Sequence, residues 1–158
     1  MIERVLVVDD DQSLREFLTI TLGRDGFEVV AAASGPEALK AMAEAPADLA
    51  LVDLKMPGMD GLETLRRLKE LSETVAVVIV TAFATTETAI QALKEGAYDY
   101  LIKPFKIDEL KLVVRKALEE RRLRWEHQRP RRGGELRHKP GNMGGKRWEG
   151  EELFATHS

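Results

Sequence analysis

Four acidic residues stand directly after two short apolar runs of this sequence. Asp9, Asp10 and Asp11 follow the first run, and Asp53 follows the third. If the fold brings these carboxylates within a few ångströms, they repel one another and stay ionised only when a cation joins them. The chain has no Cys and its three His residues are remote in sequence, so the ligands would be oxygens, which suit Mg²⁺. These residues therefore predict a magnesium site.

Two other polar residues end the fourth and fifth apolar runs. Thr81 offers a hydroxyl group, and Lys103, which precedes Pro104, offers a mobile ammonium group. The ammonium group can pair with a carboxylate or with a phosphoryl oxygen. With a carboxylate nucleophile and a metal ion, these two groups complete the parts of a phosphoryl-transfer site.

Each of these residues also has an ordinary structural interpretation. Asp11 or Ser13 could cap the first helix, and Asp53 could be a loop carboxylate. Thr81 could cap the next turn, and Lys103 could belong to a plain turn before a proline. What favours a functional site is the coincidence of polar residues at four strand ends.

Five short aliphatic or β-branched runs alternate with five stretches of helical spacing. The apolar residues Leu62, Leu65, Leu68 and Leu71, for example, repeat every three residues. The runs are interpreted as strands at Arg4–Val8, Glu28–Ala32, Leu49–Val52, Ala76–Val80 and Asp99–Ile102.

This alternation predicts an α/β fold, a five-stranded parallel sheet doubly wound as a flavodoxin-like (βα)5 domain. The expected strand order is 2-1-3-4-5, which is the order that is documented for small doubly wound proteins, including a chemotaxis receiver. In this order the first, third, fourth and fifth strands are neighbours. Because ligands bind at the carboxyl ends of such strands, the polar residues should converge on one crevice.

Composition excludes several classes of protein. The chain has 158 residues, of which 44% are hydrophobic and 32% charged, and this suits one compact domain with a tail. We see no leader of charged and then apolar residues, and no apolar run approaches the roughly 20 residues that span a bilayer. We therefore expect a cytoplasmic protein without disulfides. Because every His lies beyond residue 126, a Ser-His hydrolase is disfavoured.

The charge divides the chain into two parts. Residues 1–120 carry 14 Lys and Arg against 22 Asp and Glu, a net charge of −8, whereas residues 121–158 carry 10 against 5, a net charge of +5. The acidic part is unlike a nucleic-acid-binding domain. We predict one domain over residues 1–121, followed by a helix extension and a disordered basic tail over residues 122–158.

At these positions the sequence resembles the receiver domains of bacterial two-component response regulators. The resemblance covers residues 3–121, and its motifs occur in the family's order and spacing. The matching pieces are Val7-Val8-Asp9-Asp10-Asp11, Leu51-Val52-Asp53-Leu54-Lys55-Met56-Pro57-Gly58-Met59-Asp60-Gly61, Val80-Thr81-Ala82 and Gly96-Ala97-Tyr98-Asp99-Tyr100-Leu101-Ile102-Lys103-Pro104-Phe105.

The resemblance implies a role for each residue of the acidic site. Asp53 would accept a phosphoryl group from a phosphohistidine of a partner, a sensor histidine kinase. Asp10 and Asp53 would bind Mg²⁺ directly, and Asp9 would bind it through water. The backbone carbonyl of Lys55 would be a further ligand. The only catalysis would be Mg²⁺-dependent self-phosphorylation and slow autodephosphorylation, so the protein would not be an enzyme in the ordinary sense.

Other residues would carry a conformational switch. Thr81 would donate a hydrogen bond to the acquired phosphoryl group, and Lys103 would pair with it. Pro104 would follow a cis peptide bond, and Tyr100 would turn inward when Thr81 moves. The movement would reshape the face formed by the fourth helix, the fifth strand and the fifth helix, through which a homodimer could form.

The stretch Thr81-Ala82-Phe83-Ala84-Thr85, with the helix extension over Glu119–Arg124, most resembles the NtrC-like subfamily, which acts on σ54-dependent transcription. Its ATPase and DNA-binding domains are not in this chain, so contact with nucleic acid would need an absent output domain. Whether the chain is a stand-alone receiver or a fragment stays open.

Two other classes of function remain as alternatives. The first is a Mg²⁺-dependent aspartyl-phosphate phosphohydrolase. That class needs a second carboxylate two residues after the nucleophile; Lys55 occupies this place after Asp53, although Asp9 and Asp11 do form such a pair. The second is a pure interaction module with a dead site, which is disfavoured because no member of the acidic site is missing.

Overall fold

The computed structural model describes residues 2–82 and 85–128, in which strands and helices alternate along the chain. The strands are β1 (Arg4–Val8), β2 (Glu28–Ala32), β3 (Leu49–Val52), β4 (Ala76–Thr81) and β5 (Asp99–Ile102). The helices are α1 (Gln12–Arg24), α2 (Gly35–Glu44), α3 (Gly61–Leu71), α4 (Thr86–Lys94) and α5 (Ile107–Gln128). Four strands have the predicted bounds, and β4 is one residue longer because it includes Thr81.

The five strands form one parallel sheet in the order β2-β1-β3-β4-β5. This confirms the predicted doubly wound fold and its strand order. In the register of the sheet, Val8 lies opposite Val52, so the residues that follow these two strands emerge at the same edge. Every residue of β3 and β4 is buried, as expected for strands that helices cover on both faces.

Alternate residues of the central strands pack into two apolar clusters. Leu6 and Val8 belong to the cluster that contacts α2, α3 and α4, whereas Val5 and Val7 belong to the cluster that contacts α1 and α5. This two-sided burial explains why the strands appear in the sequence as continuous apolar runs.

Helices α1 to α4 begin at polar side chains that satisfy one of their first backbone N–H groups. The carboxylate of Asp11 accepts from the Leu14 N–H at 3.3 Å, so Asp11, and not Ser13, caps α1. Ser34 caps α2 and Asp60 caps α3. Thr85 caps α4 in a reciprocal capping box with Thr88.

Helix α5 runs to Gln128, and two ion pairs hold its later turns. Arg121 lies 3.3 Å from Asp48, and Arg122 lies 2.8 Å from Glu3. Residues 129–158, and with them most of the predicted disordered tail, lie outside the described residues. The domain boundary at residue 121 stays a prediction.

Across residues 2–82 and 85–128, no helix has both the length and the apolar character that crossing a membrane requires.

Candidate functional site

Three carboxylates meet at the carboxyl edge of the sheet. Asp9 and Asp53, which directly follow the neighbouring strands β1 and β3, are only 3% and 6% exposed, whereas Asp10 is exposed. One carboxylate oxygen of each residue lies within 4.8 Å of the others. Asp11, the fourth acidic residue of the motif, caps α1 instead.

Lys103 provides positive charge to this cluster. Its Nζ donates to Asp9 Oδ2 at 2.8 Å and to Asp53 Oδ2 at 3.3 Å. Burial of the side chain lowers the pKa of Lys103, but the hydrogen bond from Lys103 to Asp9 and the charges of Asp9 and Asp53 raise it more, so the pKa lies above its ordinary value. Lys103 is therefore protonated at neutral pH and links the first, third and fifth strands.

The backbone around Asp53 is held from two sides. The Asp53 N–H donates to the carbonyl of Val8 at 3.0 Å, and the Lys55 N–H donates to Asp53 Oδ1 at 3.2 Å. The start of α3 closes against the same segment, because a Cβ atom on Gly61 would lie well inside 3.0 Å of Asp53 and Leu54 backbone atoms. Only glycine allows α3 to begin this close to the site.

The residues predicted to carry the switch lie on β4 and β5, the last two strands in the order of the sheet. Thr81 is fully buried at the end of β4, and its carbonyl accepts from the Lys103 N–H at 2.9 Å. Tyr100 of β5 is half-buried and packs against the apolar cluster on the α2, α3 and α4 face. The peptide bond between Lys103 and Pro104 is cis. The roles of Thr81, Tyr100 and the Lys55 carbonyl stay predictions.

Arg15, on the first turn of α1, was not among the residues singled out from the sequence. Its Nη1 donates to the backbone carbonyl of Asp9 at 2.7 Å. The available signal was its position four residues after the helix cap Asp11, which directs a long side chain back toward the preceding loop. That signal is weak, because a charged residue at this position is usually only solvated.

The donor set fits a hard divalent cation. Asp9, Asp10 and Asp53 can supply oxygen atoms only, and a partly buried group of like charges needs a cation to stay ionised. Lys103 supplies part of that charge, and the exposed side of Asp10 leaves the site open toward solvent. The arrangement can hold a metal ion beside a buried carboxylate and an ammonium group.

Comparison with known families identifies one family along most of the chain. The family model for the response regulator receiver domain matches residues 5–115. Among curated proteins, the Regulatory protein AtoC of Escherichia coli (strain K12) is 41% identical over 118 residues, which cover 75% of this chain and 26% of AtoC. The Transcriptional regulatory protein ZraR of Klebsiella oxytoca is 44% identical over 119 residues, which cover 75% of this chain and 27% of ZraR. The chain thus spans about a quarter of the length of these relatives.

A solved structure has the same fold. The receiver domain of NtrX from Brucella abortus is 36% identical to this chain, with a TM-score of 0.69 over 73% of this chain and 98% of that one. The similarity therefore covers a whole receiver domain of that protein.

Proposed function

The chain belongs to the response regulator receiver domain family of two-component signalling, and we propose that it works as a switch in which Asp53 accepts the phosphoryl group. Its similarity to AtoC, ZraR and the NtrX receiver supports the NtrC-like subfamily. The observation that carries the proposal is the contact of Lys103 with both Asp9 and Asp53 inside a group of three carboxylates.

In the proposed reaction, a carboxylate oxygen of Asp53 attacks the phosphorus atom of a phosphohistidine on a sensor histidine kinase. A P–O bond to Asp53 forms, the P–N bond breaks, and the imidazole leaves and takes up a proton. Asp9, Asp10 and Asp53 would hold Mg²⁺, with the Lys55 carbonyl as a further ligand. When bound, the ion would neutralise negative charge on the phosphoryl oxygens.

The proposed chemistry ends at one phosphorylated residue, with slow autodephosphorylation. The phosphohydrolase alternative is not favoured, because the family is that of receiver domains and because Asp11, the second acid of the Asp9-x-Asp11 pair, caps α1. Turnover of small phosphate esters would contradict the proposal.

The direct experiment treats the full chain with acetyl phosphate and Mg²⁺, then measures its mass and its oligomeric state. We expect the mass increase of one phosphoryl group, and no increase when Mg²⁺ is chelated. An unmodified protein with donor and Mg²⁺ present would overturn the proposal.

Thr81→Ala should leave phosphorylation intact but weaken the conformational response. The variant removes the hydroxyl that is proposed to bond the phosphoryl group, and a hydrogen bond to a charged group is worth about 1.5–3 kcal/mol. The population of the switched state should therefore fall roughly tenfold or more. Hydrogen exchange of α4 and β5, measured with and without beryllofluoride, reports this population. Thr19→Ala, at an exposed position of α1, is the matched control. A normal response in Thr81→Ala would contradict the proposed coupling between the phosphoryl group and the switch.

Lys55→Ala should change the lifetime of the phosphorylated state while leaving its formation possible. Lys55 is exposed two residues after Asp53, and its N–H already bonds the Asp53 carboxylate. Its side chain therefore lies near the path by which water would reach the acyl phosphate. We expect a changed rate of autodephosphorylation, which is measured as the loss of the added phosphoryl mass over time. An unchanged rate would exclude this role.

We further propose that a homodimer forms through the face of α4, β5 and α5. Large apolar side chains are about half exposed on each of these elements, namely Ile90, Leu93, Ile102 and Leu112. Their exposure suits a protein–protein contact, and the oligomeric state in the experiment with acetyl phosphate tests it. Control of transcription, which the name of the Transcriptional regulatory protein ZraR states for that protein, and a cytoplasmic location are parts of the same proposal.

A further inference from the structure

We infer that Arg15 is a positioning residue that sets the affinity of the acidic site for Mg²⁺ by fixing the peptide unit between Asp9 and Asp10. This inference rests on the proposed function, since it concerns the same metal site. Arg15 would not bind the ion or the phosphoryl group. It would act through the backbone that carries two of the three carboxylates.

Arg15 holds the acidic loop with both its backbone and its side chain. Its N–H donates to the carbonyl of Asp11 at 3.0 Å, which is the first hydrogen bond of α1. Its guanidinium reaches back and donates to the carbonyl of Asp9 at 2.7 Å, in a partly buried position. A hydrogen bond from a charged donor to a carbonyl shielded from water is stronger than a neutral one.

The remaining polar groups of Asp9 are already engaged. Its N–H donates to Ala32 at 3.1 Å, its Oδ1 accepts from the Asp11 N–H at 2.9 Å, and its Oδ2 accepts from Lys103 at 2.8 Å. The hydrogen bond from Arg15 engages the last of these groups, the backbone carbonyl of Asp9. Asp9 is therefore fixed in direction by contacts to β2, to the start of α1 and to the residue that follows β5.

Asp10 depends on this arrangement more than Asp9 does. It is exposed, and within the described part of the chain no hydrogen bond to its carboxylate is found. Its direction is therefore set by its own backbone, which starts at the peptide unit whose oxygen Arg15 binds. Without Arg15 the peptide can rotate, and ordering it again on metal binding costs conformational entropy.

The positive charge of Arg15 by itself weakens cation binding, whereas its positioning of the backbone strengthens it. A positive group beside a cation site weakens binding by Coulomb repulsion, so loss of the charge alone would tighten Mg²⁺ binding. Loss of positioning would weaken it. The sign of the change in affinity therefore separates the two effects.

The test compares Arg15→Met with Arg15→Lys in the full chain, by calorimetric titration with Mg²⁺ alone and without a phosphodonor. Arg15→Met should bind Mg²⁺ roughly three- to tenfold more weakly, because the loss of this hydrogen bond outweighs the relief of Coulomb repulsion. Arg15→Lys keeps a charged donor and should recover most of the affinity. Arg24→Met, which removes a cation from the exposed end of the same helix, is the control and should bind as the parent protein does.

A second measurement needs no metal. Amide exchange at Asp11, whose N–H donates to Asp9 Oδ1, should be faster in metal-free Arg15→Met than in the metal-free parent, whereas exchange in β3 should not change. Equal or tighter Mg²⁺ binding by Arg15→Met would overturn the inference, as would an equally weak Arg15→Lys. If Arg15→Met does not fold, Arg15→Gln takes its place. Failure of the parent chain to bind Mg²⁺ would instead remove the proposed function, and the inference with it.

Discussion

Replacing Asp53 with Asn should abolish the mass increase that acetyl phosphate and Mg²⁺ produce in the parent protein. An amide oxygen is a far weaker nucleophile than a carboxylate oxygen, and the variant also loses a charged ligand for the metal ion. Asp53 is buried between β1 and β4 at the end of β3, and Lys103 lies 3.3 Å from its Oδ2. We therefore expect complete loss of phosphorylation, measured by the mass of the intact protein.

The variant should fold normally. Asn has nearly the same shape as Asp, and removing one of three neighbouring carboxylates relieves repulsion among them. Asp108→Asn, an exposed acid in the first turn of α5, is the matched control and should be phosphorylated as the parent is. Full phosphorylation of Asp53→Asn would show that another residue is the acceptor.

Replacing Lys103 with Met should lower the free energy of unfolding of the metal-free protein by about 1–3 kcal/mol, the cost of leaving buried acceptors without a charged donor. Asp9 and Asp53 are both buried and both accept from Lys103. The variant leaves their charges uncompensated, and the exposed side of the site limits the cost because water can enter. Urea unfolding with Mg²⁺ chelated measures the loss.

The same variant should respond more strongly to Mg²⁺ than the parent does. Removing a fixed positive charge favours a bound cation, and a ligand that binds the folded state stabilises it more at a given concentration when its affinity is higher. The deficit in unfolding free energy should therefore shrink as Mg²⁺ is added. Lys106→Met, an exposed lysine three residues later, should show neither change. A stable Lys103→Met, or a deficit that Mg²⁺ leaves untouched, would contradict the electrostatic account of the site.

The strand bounds were predictable from local patterns: four strands have the predicted bounds, and β4 ends one residue later than predicted. The central strands are buried on both faces, so they appear as short continuous apolar runs, and the helices between them have capping residues such as Ser34 and Asp60. The one change, the inclusion of Thr81 in β4, arises because Thr81 pairs with Ile102 of β5 and its carbonyl accepts from the N–H of Lys103, the residue after that strand. A strand end that is set by pairing with a distant strand cannot be predicted from the types of the neighbouring residues.

The members of the acidic site were also predictable, since each follows a strand and parallel strands bring their carboxyl ends to one edge. Their functional roles came from the resemblance to receiver domains. The sequence left open whether Asp11 or Ser13 caps α1, and the structure assigns the cap to Asp11.

Local patterns in the sequence predict the strands, the helices and the edge of the sheet at which the polar groups meet. The contacts among these groups depend on the packing of distant segments: Lys103 reaches Asp9 and Asp53 from 94 and 50 residues away along the chain, and Arg15 reaches the carbonyl of Asp9. Likewise, Asp9 is buried while the next residue, Asp10, is exposed. The physical reason is that periodicity and capping depend on neighbours in sequence, whereas hydrogen bonds and burial depend on how separate strands and helices pack.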